Sequence, residues 1–231
     1  MTDRLAQPDF SMVLASSVHY MKNSLSMLLN SLEHEIRENP AKDQSQADRF
    51  AILQYEASRI NGELIQLLSM YRMQNNLMPF RLEEHYVIDM LEEQLARNEM
   101  LFNTRNIAIS IDCCPDLNWY YDDELVGSVI HNILVNGARY SREKMLLSAK
   151  IQNDQLVISI ADDGQGYPER MLNSPEAMLD KSVNFEEGST HLGLYFAQRV
   201  ALLHCQGDVH GAIRLSNESA LGGGLFQLML P

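Results

Sequence analysis

Asn132, Asn136, Arg139 and Tyr140 fall at i, i+4, i+7 and i+8, the spacing that puts side chains on one face of a helix. Ile133 and Leu134, between them, point toward a core instead. Two amides, a guanidinium and a phenol on one face form either a polar ligand surface or an ordinary solvated face. A second segment, Leu156 to Asp162, reads as a strand that ends in Asp162-Asp163-Gly164-Gln165-Gly166. An acid at a strand end followed by glycines can accept a hydrogen bond from a ligand, such as an exocyclic amine of the adenine kind, while the backbone approaches closely. Ordinary turns use the same residues. In a third segment, Gly188-Ser189-Thr190-His191-Leu192-Gly193-Leu194 opens a helix. Backbone N–H groups at a helix start attract anions, Ser189 and Thr190 add hydroxyl donors, and the same residues also serve as a plain cap.

One histidine of seven stands out. His19 shares a helix face with Lys22 and Asn23, at i+3 and i+4, while Val18, Met21 and Leu25 form the apolar stripe. The imidazole is therefore expected to project from the helix, where a second domain can reach it. A neutral imidazole is a nucleophile toward phosphorus, and its phosphoramidate is a ready phosphoryl donor. Taken alone, a surface histidine on a helix is more often incidental.

These residues must be carried by two kinds of structure. Val18, Met21, Leu25, Leu28, Leu32 and Ile36 recur at helical spacing, Asn39-Pro40 breaks the pattern, and Phe50, Leu53, Ile60, Leu64, Leu67 and Tyr71 repeat it. The spacing predicts a hairpin of two helices of about 28 to 32 residues each, longer than ordinary globular helices. Two such helices cannot bury both stripes against each other. A dimeric four-helix bundle does so, and a monomeric hairpin packed on its own C-terminal part is the alternative. After Met78-Pro79 the texture changes to mixed elements. They are a short strand in FRLEEHYV, a helix near 85–103, a strand over 107–111 and a helix capped by Asp122 or Asp123. Two strands joined by Gln152-Asn153-Asp154 follow, then a helix over about 190–204 and strands near 209–215 and 225–230. That order predicts an α+β sandwich, a sheet with helices on one face. The domains are thus expected at 1–78, a helical hairpin suited to dimerisation, and 79–231, an α/β domain.

Composition narrows the function classes. With 231 residues and 45% hydrophobic content the chain can bury a proper core. A formal net charge of -13 argues against a general nucleic-acid or anionic-membrane binder and requires any anion pocket to supply its own local positive groups. Cys113, Cys114 and Cys205 have no metal-ligand spacing and read as reduced thiols. The N-terminal residues do not look like a signal peptide, and no apolar run reaches the roughly 20 residues of a membrane span. The expectation is a soluble, cytoplasmic protein whose signal comes from a ligand or a separate sensor protein.

Taken in order, the amide-bearing helix, the acid–glycine strand end and the glycine-bearing helix start resemble the N-box, G1 box and G2 box of the histidine-kinase ATP-binding domain, the Bergerat fold. The resemblance covers roughly residues 80 to 231, including the closing GGGLFQLMLP. It implies ATP and Mg2+ as cofactors, with Asn136 as metal ligand and Asn132 nearby, Arg139 on the phosphates and Tyr140 against the nucleotide. It implies that Asp162 recognises the adenine amine, that Gly164 and Gly166 shape the pocket, and that Ser189, Thr190, His191, Leu192 and Gly193 line the phosphate end. Residues Tyr167 to Glu187 would be the ATP lid, with Phe185 as its anchor. His191 stands where these kinases usually carry glycine. Relatives that hydrolyse ATP place a glutamate four residues before the metal-binding asparagine, as base for the attacking water. Here that position is Asn132, so the site looks built for transfer to another group.

The segment around His19 resembles the H-box of the histidine-kinase dimerisation domain. The family usually has an acid after the histidine, where this chain has Tyr20, and proline where Ser24 stands. Asn23 retains the amide associated with dephosphorylating the partner, and Lys22 can balance phosphoryl charge. The resemblance implies a homodimeric histidine kinase core without its own sensor, passing phosphate from ATP to His19 and then to an aspartate of a response regulator receiver domain; the loss of the acid beside His19 with Asn23 retained points to a weak kinase or a phosphatase-biased enzyme. The other readings are a non-catalytic histidine phosphotransferase or regulator-docking module with a degenerate ATP domain, and an anti-sigma-factor serine kinase.

Overall fold

The computed structural model describes residues 10–75, 77–172 and 192–231. Two long helices come first, α1 (Phe10–Glu38, 29 residues) and α2 (Gln44–Gln74, 31 residues). They match the lengths read from the apolar spacing, and the break falls at Asn39-Pro40 as expected. Asp43 starts α2, its carboxylate accepting from the Gln46 N–H at 2.7 Å, one of the orphan donors of a helix start.

The faces of the hairpin are less simple than the spacing predicts. α1 packs along α2, but Leu28 and Leu53 are each 55% exposed, and Ile60 and Leu67 are exposed too. The apolar stripe of α2 is thus turned outward. Its inward face carries Ala51, Gln54, Tyr55, Ala57, Gln66 and Leu68, all buried. That face packs on the helices of the C-terminal part, and Tyr55 joins their common core.

The C-terminal part begins with β1 (Glu83–Tyr86) and α3 (Val87–Arg105), then β2 (Ala108–Cys113), β3 (Asn118–Tyr121) and α4 (Asp123–Tyr140). Next come β4 (Lys144–Gln152), β5 (Gln155–Asp162) and the short α5 (Glu169–Leu172). α6 (Leu192–Leu203), β6 (Cys205–Gln206), β7 (Val209–His210), β8 (Ala212–Ser216) and β9 (Leu225–Leu230) complete the described elements. Five strands form one sheet in the order β2-β4-β5-β9-β8, with β2 parallel to β4 and the other pairs antiparallel. β1 pairs with β3, and β6 with β7, in two small ribbons. The expected strand over 209–215 is split into β7 and β8, and β3 and β6 were not anticipated.

Alternation explains the layering. Met145, Leu147 and Ala149 of β4 and Phe226, Leu228 and Leu230 of β9 are buried, with less buried residues between them. They meet Val129, Ile130, Ile133 and Leu134 of α4 and Phe196, Ala197 and Val200 of α6 in one core. The period of two on the strands and of 3.6 on the helices therefore fixes which face of α4 is left for polar groups.

Asp122 ties the layers together. One carboxylate oxygen accepts from Leu125 N–H at 3.0 Å and caps α4, and the other accepts from Arg81 N–H at 2.8 Å. Its own N–H donates to His204 Nε2 at 3.0 Å, while His204 Nδ1–H donates to the Val200 carbonyl at 2.8 Å. These bonds require the neutral imidazole, and burial holds its pKa below the ordinary value. On α4, burial pushes His131 down to about 4, with Arg97 adding to the effect, and Asn98 Nδ2 donates to its Nδ1 at 3.1 Å.

A pH dependence follows. Both histidines stay neutral in the fold, whereas the unfolded chain protonates them near pH 6.5. The unfolded state therefore binds more protons below that pH, so stability present above pH 6.5 is lost as the pH falls toward the depressed folded values. The urea midpoint is expected to drop from pH 6.5 to 4.5, and His131→Asn to flatten that drop. A variant profile parallel to the wild type contradicts this account.

Candidate functional site

The polar face of α4 opens onto a cavity of about 520 Å³, within the usual range for small-molecule sites. Asn132, Asn136, Arg139 and Tyr140 all line it, as the i, i+4, i+7, i+8 spacing predicts. So do Asp162 and Gly166 from the end of β5, and Gly193 from the first turn of α6. Gly164 lies beside the cavity rather than on its wall, next to the Tyr140 carbonyl. Leu192 begins α6 without lining the cavity. Ser189, Thr190, His191, Phe185 and most of the expected lid lie outside the described residues.

Asp162 is held by backbone. Its Oδ1 accepts from Gly164 N–H at 2.7 Å and from Gly224 N–H at 3.0 Å. Its carbonyl accepts from Gly223 N–H at 3.0 Å and from the Ser219 hydroxyl at 3.0 Å. The turn between β8 and β9 thus wraps around the end of β5. A Cβ at Gly223 would run into Asp162 Oδ1, so this turn needs glycine. With Oδ1 spent on two amides, Oδ2 remains to accept from a ligand donor. The neighbouring Asp163 has a structural task. Burial pushes its carboxyl up, but the N–H groups of Arg142, Glu143 and Lys144 all donate to it and together hold its pKa below the ordinary value.

A residue missed by the sequence reading completes this corner. Asn217 Oδ1 accepts from Tyr167 N–H at 2.6 Å, and Asn217 Nδ2 donates to the Tyr167 carbonyl at 2.9 Å. This pair of bonds clamps the loop after β5, and burial raises the pKa of the Tyr167 phenol packed behind Asp162. Asn217 sits in Ser216-Asn217-Glu218-Ser219, which reads as any turn, so only an alignment of the two loops in space could reveal it.

At the other end α6 meets α4 closely. A Cβ on Gly193 would collide with Asn132 Nδ2, so this glycine lets the helix start approach the amide. Asn132 Nδ2 is buried and has no hydrogen-bond partner. Across the cavity Gln66 Oε1 of α2 is in the same condition. Buried polar atoms are rarely left unmatched in a finished fold, and two of them on residues that line one cavity suit a polar ligand.

The charge of the cavity departs from that of the chain. Four arginines line it, Arg59, Arg139, Arg142 and Arg170, against two carboxylates, Glu63 and Asp162, whereas the chain carries a net -13. Such a local excess supplies the positive groups that an anionic ligand demands. Arg139 is poised over two rings, 5.9 Å from the Tyr55 centroid and 5.4 Å from that of Tyr140. Burial raises the pKa of the Tyr55 phenol, and the nearby Arg139 guanidinium partly offsets the rise. Arg139 and Tyr140 are therefore braced by α2 as well as facing the cavity. Among the described residues no three of His, Cys, Asp and Glu converge to hold a metal ion, so a cation at Asn136 would take further ligands from a bound anion and water. Such a donor set fits Mg2+, which commonly keeps waters and shares phosphate oxygens.

His19, Lys22 and Asn23 are not brought to this cavity, which no residue of α1 lines. His19 is exposed on α1, as expected, and Asn23 Nδ2 lies 3.3 Å from its Nε2. Glu56, an acid of α2, is paired with Arg59 at 2.7 Å and does not line the cavity.

Comparison with known proteins agrees with this geometry. Residues 121–231 match the family model described as histidine kinase-, DNA gyrase B-, and HSP90-like ATPase. The sensor protein PhoQ of Escherichia coli K12 is 23% identical over 230 residues, covering 99% of this chain and 44% of the relative. The virulence sensor histidine kinase PhoQ of Salmonella typhimurium LT2 is 23% identical over 155 residues, 67% of this chain and 31% of the relative. The chain thus spans less than half the length of these curated relatives. Among solved structures, the Acinetobacter baumannii histidine kinase AdeS superposes with a TM-score of 0.57 at 18% identity, over 90% of this chain and 95% of that one. The nucleotide-free catalytic domain of histidine kinase ThkA gives 0.54 at 20% identity, over 67% of this chain and 97% of that one. Among the described residues no helix is long and apolar enough to cross a membrane. The C-terminal part of the chain, with its cavity walled by α4, the end of β5 and α6, is similar to the histidine kinase-, DNA gyrase B- and HSP90-like ATPases, and the chain as a whole resembles a histidine kinase core.

Proposed function

We propose that this chain binds ATP with Mg2+ in the α4–β5–α6 cavity and transfers the terminal phosphoryl group to His19, for delivery to an aspartate of a response regulator receiver domain. The observation that carries the reading is the Asp162 carboxylate, anchored through one oxygen by two backbone amides and left with the other free at a cavity rich in arginine. In this reading Oδ2 of Asp162 accepts from the adenine amine, Gly166 lines the pocket beside it, and Gly164 shapes the pocket from behind by anchoring Asp162. Asn136 ligates Mg2+ with Asn132 beside it, and Arg139 and Tyr140 hold the phosphates and the nucleoside. The metal, when bound, draws charge from the phosphate oxygens and so eases attack at phosphorus.

The transfer itself is a single displacement. The lone pair of a His19 ring nitrogen attacks the γ-phosphorus, the bond to the bridging oxygen breaks, and ADP leaves with that electron pair while the imidazole yields its N–H proton to solvent or a base. Asn132 stands where a hydrolytic base would be and cannot take a proton from water. The distance of α1 from the cavity wall means that His19 must reach it by movement of the hairpin or from a second subunit. The outward stripe of Leu28, Leu53, Ile60 and Leu67 supports the second route, because pairing two hairpins as a homodimer would bury it. The division at 1–78 and 79–231 serves this scheme as acceptor and donor modules.

A phosphatase-biased version has its own support. Tyr20 follows His19 in place of an acid, and Asn23 Nδ2 is positioned to occupy the Nε2 lone pair. An engaged lone pair is a poorer nucleophile, and the same amide can orient water toward a partner's phosphoaspartate.

Two measurements check the proposal. ATP–Mg2+ at about 100 times its Kd should stabilise the fold by about 2.7 kcal/mol, a rise of about 5–10 °C in Tm for a domain of this size, and Asn136→Ala should abolish the shift. With γ-labelled ATP, slow acid-labile labelling is expected in the wild type, none in His19→Ala, and a faster rise in Asn23→Ala. Label retained by His19→Ala contradicts the assignment of the acceptor.

A further inference from the structure

α2 buries the wrong kind of face for a helix held only by packing. Ile60 is 42% and Leu67 39% exposed, whereas Gln54 and Gln66 are each 2% exposed. An inward polar face costs desolvation unless its groups find partners. Little of the compensation is visible, since the Thr104 hydroxyl, 3.4 Å from Gln54 Oε1, has a single proton and lies closer to the Met100 carbonyl, at 2.6 Å. The rest of this face forms one wall of the cavity, through Ser58, Arg59, Gly62, Glu63 and Gln66. Gly62 keeps that wall set back, because a Cβ there would meet nothing within 4 Å. Gln66 Oε1 is buried and unmatched.

Arg59 is the charged group of this wall. Its Nε–H and Nη2–H donate to Glu56 Oε2 at 3.0 and 2.7 Å, and Nη1–H donates to Glu63 Oε1 at 2.7 Å. A guanidinium has five N–H groups, so two remain after these three bonds. The pairing with Glu56 is the largest influence raising the Arg59 pKa, and the cation is secure. One turn away Tyr55 carries the Arg139 guanidinium over its ring, so the two arginines approach the same end of the cavity from different segments. Asp162 marks the strand-end wall.

We propose that α2 is part of the nucleotide site, and that Arg59 is a phosphate-binding residue facing Arg139, with Glu63 as the carboxylate that competes for it. The inference rests on the reading of this cavity as an ATP site and adds to it a wall contributed by the hairpin. Two planar guanidiniums that grip a polyphosphate from opposite sides suit its oxygen geometry, and Arg does this better than Lys. Bound nucleotide then ties the hairpin to the α/β part, and the Arg59–Glu63 pair sets how tightly.

The test is calorimetric titration of the full chain with ATP in the presence of Mg2+. Arg59→Ala is expected to weaken binding about 10- to 100-fold, the worth of one charge-assisted contact. Arg59→Lys should recover part of that loss. Glu63→Gln should strengthen binding about 3- to 10-fold, because it removes the competing charge. These opposite signs distinguish ligand contact from support of the helix, since loss of the Arg59–Glu63 pair from either side would weaken a merely structural α2. Unchanged affinity in Arg59→Ala, or weakened affinity in Glu63→Gln, overturns the proposal. If Arg59→Ala loses its helical circular dichroism, the Lys and Gln variants decide by the same signs. A wild type that fails to bind ATP overturns the ATP reading of the cavity. A wild type whose binding requires Asn136 but is indifferent to Arg59 overturns only the role given to α2.

Discussion

The bridge from Asp162 Oδ1 to the amides of Gly164 and Gly224 is the contact on which the rest of the site depends. It joins the end of β5 and the loop directly after it to the turn before β9, sixty-two residues further on. Each piece is reinforced locally. The Asp162 N–H donates to the Gly224 carbonyl at 2.9 Å, and Asn217 fastens the loop at Tyr167. A carboxylate that accepts two backbone N–H bonds is fixed in orientation without spending a side-chain partner. One oxygen is therefore structural, and the other can be specific.

α4 is the spine between this corner and the rest of the molecule. Its apolar face is closed against β4, β5 and α6, so rotation of the helix is not free, and the amides at 132 and 136 are aimed by the packing of Ile130, Ile133 and Leu134. Its C-terminal turn is braced from outside by Tyr55, and its N-terminal turn by the Asp122–His204 bond. The Asp162 end of the site is thus held by several backbone bonds. Its other walls come from α2, which packs on α3, α4 and α6, and from α6, which packs on α4 and on β8 and β9 of the sheet.

Much of this was legible in the sequence because it is periodic or local. The 3.6-residue repeat located α1, α2 and α4, the two-residue repeat located β2, and Asn132, Asn136, Arg139 and Tyr140 share the face that their spacing predicts. What was not legible depends on partners distant in sequence. β3 is four residues long and exists through pairing with β1, a ribbon too short to show alternation. Asn217 acts on a loop fifty positions earlier. The inward face of α2 was misjudged for the same reason. Leu53, Ile60 and Leu67 form the apolar repeat that normally marks a core, and nothing local reveals that Gln54, Tyr55 and Gln66 are the buried residues instead. The side chains that brace a site from another element leave no period of their own.

Base selectivity is the most direct measure of the central claim, that Asp162 is an anchored acceptor for an amine. The full chain should be titrated with ATP and with GTP, each with Mg2+, by calorimetry. Adenine offers an amino donor to Oδ2, whereas guanine at the same position offers a carbonyl oxygen that would face a carboxylate unpaired. A buried mismatch of this kind costs about 2–3 kcal/mol, so ATP is expected to bind about 30- to 150-fold more tightly. Equal affinity for the two nucleotides would contradict the account.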